Sequence, residues 1–202
     1  GAVRTEATNR LELARMMVGK DLATPPVRKS AEMGRPVLSL QNVSVFNDKK
    51  VPALRNVSLT VHSGEILGLA AVEGNGQQEL VQIVAGLRKP ASGSVTIEPQ
   101  TRHRRYLQPG IAHIPEDRIK SGIVLDFSIS ENFLLGRQHD PAFGNALFLH
   151  YRFLNRYAED RIQQFDIRST HATQTIRHLS GGNQQKVVVA RELTKNVNLI
   201  VA

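Results

Sequence analysis

Leu179-Ser180-Gly181-Gly182-Asn183-Gln184-Gln185-Lys186 is the most informative stretch of this 202-residue sequence. Val187, Val188, Ala190 and Leu193 follow it at helical spacing, so Ser180-Gly181-Gly182 opens a helix. The first N–H groups of a helix have no partner inside it, and the helix dipole is positive at that end. A serine hydroxyl and two glycine amides there make a surface suited to an anion. A lone Ser-Gly-Gly is more often an ordinary loop-to-helix turn, and the neighbours give this one its value. Val197 to Ala202 reads as an apolar strand after the helix. About 100 residues upstream lies a second glycine-rich turn, Ala71-Val72-Glu73-Gly74-Asn75-Gly76-Gln77-Gln78.

That turn follows Ile66-Leu67-Gly68-Leu69-Ala70, a continuous apolar run of the buried-strand type. It precedes Glu79 to Ala85, which has helical character and is ended by Gly86. Strand, glycine loop and helix in this order are the setting of a phosphate-binding loop. The chemistry there asks for Gly, four residues, Gly, Lys, then Ser or Thr. The lysine reaches the β- and γ-phosphates, and the hydroxyl ligates magnesium. Here the register holds but the side chains differ: Ala71 replaces the first glycine, Gln77 the lysine and Gln78 the hydroxyl residue. Gly74, Asn75 and Gly76 keep the makings of an anion nest. Gln77 donates hydrogen bonds without charge, and Gln78 offers a metal only an amide oxygen. Taken alone, the turn is as well explained by strand-to-helix sterics, and its side chains argue against catalysis.

The rest of the chain supplies elements around these two turns. Val37 to Val45 alternates as a half-buried strand, and the pattern repeats through Leu59 and Val61. Short strands are expected at Ser94 to Ile97 and at Ile111 to Ile114, the second stopped by Pro115. Ser128 and Glu131 form a capping box opening a short helix that ends at Gly136. Leu154, Ala158, Ile162 and Phe165 stripe a surface helix from Tyr151 to Phe165. The sum is an α/β domain with a partly parallel sheet, preceded by an antiparallel portion. Before it, Asn9 and Glu12 fit a helix cap, Leu11, Ala14 and Val18 share one face, and Gly19 is a stop. Residues 20–36, rich in Pro, Gly and charge, read as a linker.

Composition narrows the function classes. The absence of Cys removes disulfide scaffolds, thiolate nucleophiles and cysteine-held zinc or iron–sulfur centres. No apolar run reaches the ~18 residues of a membrane helix, and the start does not read as a signal peptide. Lys and Arg exceed Asp and Glu by 26 to 18, a +8 balance that admits an anionic partner without choosing among nucleic acid, nucleotide and lipid headgroup. An aromatic content of 5% without Trp argues against a base-stacking platform. The histidines, His62, His103, His113, His139, His150, His171 and His178, show no metal-ligand spacing, and no metal site is read.

In order, these motifs resemble the ATP-binding subunit of ABC transporters over residues 37–202. LSGGNQQKVVVAREL is similar to that family's signature motif and helix, and residues 57–93 to its Walker A region and flanks. Phe46, 25 residues before Ala71, stands where the family keeps an adenine-stacking aromatic. GIAHIPEDR resembles the Q-loop region, with Glu116 at the usual glutamine position, and SISENFLLG the start of the helical subdomain. The fold implied is an ABC-type P-loop α/β core with an antiparallel β subdomain and a helical subdomain (about 117–182), incomplete at its C-terminal side. EGNGQ, HIPEDR and LSGGNQQ resemble the second ATPase half of tandem subunits serving simple-sugar and nucleoside importers, the nucleoside branch more closely. The resemblance then implies that residues 1–19 are the tail helix of a first half, 20–36 the interdomain linker and 37–202 a partial second domain. It places the Walker B aspartate just after Ala202, in a chain about twice as long or more. The stretch from Gly93 to Gly110 reads several residues shorter than the family's.

ABC halves pair head to tail, so the resemblance implies different jobs for the two turns. Leu179, Ser180, Gly181, Gly182, Asn183 and Gln184 act in trans on the nucleotide held by the first half. Ala71, Gly74, Asn75, Gly76, Gln77 and Gln78 line a degenerate site of this half's own, and Phe46 stacks on adenine there. Glu116 and residues 111–136 face the coupling helix of the membrane subunit. The implied function is an ATP-binding half that couples ATP binding and hydrolysis to uptake of nucleosides or simple sugars, itself with little or no activity. Its cofactors are ATP and Mg2+, the metal mainly through the first half's site. Its partners are that half, the transmembrane permease subunits and, indirectly, an extracytoplasmic solute-binding protein, at the cytoplasmic face of the bacterial plasma membrane. Two other classes stand beside this one. A non-catalytic regulatory ABC module needs no hydrolysis at either site. A nucleic-acid-associated ABC ATPase is admitted by Arg102 to Arg105, although a charge run is usually a solvated face, and nucleic acid is not the expected partner.

Overall fold

Val37, Leu38, Leu40, Val43 and Val45 are the buried residues of strand β1 (Pro36–Phe46). The alternation breaks between Leu40 and Val43, where the register shifts and Asn42 takes φ 49°, the signature of a bulge. β1 pairs antiparallel with β2 (Pro52–His62) on one side and β3 (Ser92–Ile97) on the other. Gly93, at φ 85°, crosses β1 so closely that a Cβ would stand 2.4 Å from the Gln41 and Asn42 carbonyl oxygens, so only glycine fits. The pairing begins before β1, with the Gly34 N–H on Ser63 O (3.1 Å) and the Ser63 N–H on Arg35 O (2.9 Å).

The computed structural model describes residues 8, 9, 12, 13, 15, 16, 33–72, 74–98, 110–138, 140–145 and 147–202. The chain divides into two units, Gly1–Glu32 and Met33–Ala202. In the first, the Asn9 side chain accepts the Glu12 N–H (2.9 Å), as expected of the cap. Leu11, Ala14, Val18, Gly19, residues 20–32 of the expected linker, Glu73, Arg102 to Arg105, His103 and His139 lie outside the described residues.

The second unit holds two apolar cores. One joins the three-stranded sheet to α1 (Gln77–Val84), through Ile83 and Val84, and to Leu199. Gly86, at φ 75°, ends that helix as expected. Leu199 belongs to β5 (Leu199–Val201), parallel to β4 (Ile111–His113) in register Ile111↔Leu199. The other core is helical, built from α2 (Arg118–Ser121), α3 (Ile129–Leu134), α4 (Tyr151–Gln164), a 3-10 turn (Ile176–His178) and α5 (Gly181–Leu193). Both bonds of the expected capping box form: Ser128 Oγ accepts the Glu131 N–H (3.1 Å), and the Glu131 carboxylate accepts the Ser128 N–H (2.8 Å). Leu154, Ala158 and Ile162 of the α4 stripe are buried, with Phe165 packed at its edge. Among the described residues no helix is long and apolar enough to cross a membrane.

The expected strand at Ile66–Ala70 is not formed. Ile66, Leu69 and Val72 are 73%, 62% and 74% exposed, and residues 65–72 adopt no regular structure. An apolar run becomes a strand only when neighbours satisfy its backbone. Among the described residues no strand pairs with this one, and β4 and β5 pair with each other. Leu193, expected on the apolar face of α5, is 43% exposed at the helix end.

The two cores meet at a buried ion cluster on the last turn of α5. Glu192 accepts from Arg191 Nε (2.8 Å), from Lys195 Nζ (2.8 and 2.7 Å) and from the His113 N–H of β4 (3.2 Å). Arg191 Nη1 donates to Gly122 O (2.8 Å), just beyond α2. Burial pushes the Glu192 carboxyl up, but Lys195 and Arg191 more than offset this and hold it below the usual value. His113 is also held low, by burial first, with Glu192 opposing and Lys195 adding to the shift.

Both lowered groups bind fewer protons folded than unfolded on the acid side, so stability is lost as pH falls. Glu192→Gln is expected to cost about 3–5 kcal/mol near neutral pH, because it strands the buried Arg191 and the half-buried Lys195. The variant's stability should then fall less steeply than the parent's below about pH 4. Urea unfolding across pH measures both, and parallel acid slopes would contradict the assignment.

Candidate functional site

The glycine turn forms one wall of a cleft of about 460 Å3 lined by Asn47, Ala71, Gly74, Gly76, Gln77, Gln78, Glu79 and Glu116. Gly76, at φ 96°, is the N-terminal cap of α1, and a Cβ on it would stand 2.4 Å from Ala53 O. β2 therefore fixes where the loop turns into the helix. The cleft gathers the expected loop residues other than Asn75, brings Glu116 beside them, and takes in Asn47, the residue after Phe46. Phe46 itself is half exposed at the end of β1. Arg88 ties its carbonyl (2.9 Å) to Asp48 (2.6 Å) and to Gln82 of α1 (2.7 Å).

The donor set of this cleft does not match a magnesium triphosphate. Among the described residues its lining carries two carboxylates, Glu79 and Glu116, and no lysine or arginine. Among the described residues no group of three or more His, Asp or Glu is placed to hold a metal ion. Inside the loop, the Asn75 N–H donates to Gln77 Oε1 (2.9 Å) and more weakly to Val72 O (3.3 Å). Gln77 Nε2 donates to Val72 O (2.5 Å). One backbone donor that a phosphate would use is thus already engaged.

The Ser-Gly-Gly turn is built differently. Ser180 caps α5, is exposed, and its Oγ accepts from Asn183 Nδ2 (3.0 Å). An oxygen that accepts this bond keeps its own proton to donate outward. Asn183 Oδ1 accepts the Arg168 N–H (3.0 Å), which holds the amide in that orientation. Leu179 is buried in the helical core. Gln184 is buried too: its Nε2 donates to Ile176 O (3.3 Å) and Leu179 O (3.2 Å), bracing the turn that leads into the helix. None of Leu179 to Gln184 lines the cleft at the glycine loop.

Arg118 is the residue that sequence reasoning missed. Its Nε donates to Gln184 Oε1 (3.3 Å), and its Nη2 lies 2.6 Å from where a Cβ on Gly181 would be. A cation at a helix N-terminus opposes the dipole but adds attraction for an anion. The signal was present in Pro115-Glu116-Asp117-Arg118. Asp117 accepts the Ile119 and Lys120 N–H groups (2.9 and 3.0 Å) and opens α2, which places Arg118 at the glycines. Ser180 Oγ, the Gly181 and Gly182 amides and Arg118 thus make a surface suited to an anion presented from outside the chain.

The two glycines should respond differently to alanine. A Cβ on Gly182 meets nothing within 4 Å, whereas one on Gly181 displaces Arg118. Gly182→Ala should gain roughly 0.5–1 kcal/mol of helix propensity, and Gly181→Ala should gain less or lose. Equal gains in urea unfolding would show that Arg118 is not seated there.

Residues 54–202 match the protein-family model described as ABC transporter. The guanosine import ATP-binding protein NupO of Bacillus subtilis is 38% identical over 199 residues, covering 96% of this chain and 39% of that protein. The glucose import ATP-binding protein TsgD13 of Haloferax volcanii is 38% identical over 208 residues, 100% of this chain and 38% of that protein. The chain thus spans about two fifths of the length of the curated relatives it matches. The fold is similar to that of the ATP-binding cassette MJ0796 in a dimeric post-hydrolysis state with ADP and Pi, with a TM-score of 0.62 and 21% identity over 81% of this chain and 72% of that one. A family match over residues 54–202 that contains both glycine turns in order, carried on the cassette fold, makes this chain a member of the ABC transporter family.

Proposed function

We propose that this chain is the second nucleotide-binding half of an importer's ATP-binding subunit and acts mainly by lending its Ser180-Gly181-Gly182 face to ATP held by the first half. The observation that carries this is the contrast between the two turns. The signature turn is exposed and has a free hydroxyl proton and a cation beside it. The glycine loop lacks a cation and has one amide engaged. The likeness to a guanosine import protein and a glucose import protein supports nucleosides or simple sugars as the cargo class. The implied partners are the permease subunits at the cytoplasmic face of the membrane, with a solute-binding protein acting through them.

The mechanism assigned to this chain's own residues is binding and orientation. ATP supplies a terminal phosphoanhydride whose hydrolysis releases free energy. Ser180 Oγ and the Gly181 and Gly182 amides donate to the anion that the first half presents, and Arg118 adds charge at the same face. Asn183 keeps the Ser180 proton pointed outward. Gln184 and Arg118 join this face to α2, two residues from Glu116, so a push on the Glu116 segment is carried to the signature turn. Ala71, Gly74, Asn75, Gly76, Gln77 and Gln78, with Phe46 at the rim, form a site that does not turn nucleotide over.

Ser180→Arg fills the face with a long side chain and should lower ATPase activity of the assembled transporter by about a hundredfold or more. Gln77→Ala should leave turnover nearly unchanged. The opposite ranking contradicts the proposal, and an assembled parent transporter with no ATPase activity would favour a non-catalytic interaction module.

A further inference from the structure

We propose that the Gln77 carboxamide is a built-in occupant of the glycine loop, so that a nucleotide phosphate enters only by displacing it. The proposal rests on the reading of this loop as the half's own phosphate loop, and says why it is a poor one. Gln77 Oε1 takes the Asn75 N–H at 2.9 Å, while its Nε2 gives a hydrogen bond to Val72 O at 2.5 Å. The one side chain closes a bridge from the residues before Gly74 to the residue after Gly76. Only a group with both a donor and an acceptor at its tip can do this. A lysine, with three donors and no acceptor, cannot take the Asn75 N–H and would leave that amide only its weak bond to Val72 O (3.3 Å).

The backbone is shaped for the bridge. Gly74 and Gly76, at φ 87° and 96°, turn the chain so that the Val72 carbonyl and the Asn75 amide are reached by the same carboxamide. The cleft adds no force to break it. Among the described residues Glu79 and Glu116 line the cleft and no lysine or arginine does, so a polyphosphate gains little when it displaces Gln77. The consequence is a reversed sign. If Gln77 were a ligand, truncating it would weaken nucleotide binding; as an occupant, its truncation strengthens binding.

Hydrogen exchange in the full-length subunit, assembled with its transporter partners, reads this loop apart from any other nucleotide site. The probe is magnesium ADP, and the readouts are the Asn75 amide and the nucleotide concentration that half-protects residues 72–80. In Gln77→Ala the Asn75 amide should exchange roughly three- to tenfold faster without nucleotide, the 3.3 Å bond to Val72 O limiting the gain. Half-protection should then need several-fold less ADP. Gln77→Glu keeps an acceptor for Asn75 but loses the donor and adds negative charge, so Asn75 should stay protected while half-protection needs more ADP. Unchanged Asn75 exchange in Gln77→Ala overturns the proposal, as does faster exchange with no gain in ADP protection. Failure of the parent reading is visible separately, in the Ser180→Arg turnover, which does not depend on Asn75.

Discussion

The buried pair Arg191 and Glu192 is the constraint on which the second unit's arrangement rests. Neither side chain has water to solvate it, so each must find protein partners, and those partners belong to different elements. Glu192 reaches the β4 backbone at His113 and the Lys195 ammonium; Arg191 reaches the carbonyl of Gly122. The last turn of α5 is thereby fixed to the sheet side and to the end of α2 together. The first turn of the same helix carries Ser180, Gly181 and Gly182, and Arg118 at the start of α2 rests against it. Two clamps, Arg191 on Gly122 and Arg118 on Gln184, hold α2 along α5. A motif that works by presenting donors outward needs such backing, because a loosely held helix end would spend binding energy on being ordered.

The elements governed by local rules were legible in the sequence. The Ser128–Glu131 box, the Leu154–Ala158–Ile162 stripe, the Gly86 stop and the β1–β2 alternation each follow from contacts within a few residues or from one repeating face. The Ile66–Ala70 run misled because its hydrophobicity speaks to burial, while strand formation depends on neighbours that are remote in sequence. The same limit hid Arg118. The Asp117 cap fixes where α2 starts, but only the fold brings Arg118 to Gly181, 63 positions along the chain. Nor could the sequence show that the Gln184 amide bonds the carbonyls of Ile176 and Leu179 behind the turn.

Loss of the lysine at position 77 is a change of role as well as a loss of charge. An uncharged amide bridges what a lysine would leave open, so the glycine loop has its Asn75 N–H turned inward. The signature turn, with Ser180 held as an outward donor, keeps the features of an anion surface. On the proposed reading, a chain with the cassette fold would offer only one of its two turns to a phosphate, as a head-to-tail pair with a first half would require.

The most direct test of that asymmetry is the number of nucleotides trapped by vanadate per full-length subunit in the assembled, transporting complex. Trapping requires turnover, so it counts working sites rather than occupied ones. The account predicts one trapped nucleotide per subunit. Two would mean that the loop from Ala71 to Gln78 also hydrolyses nucleotide, and would contradict it.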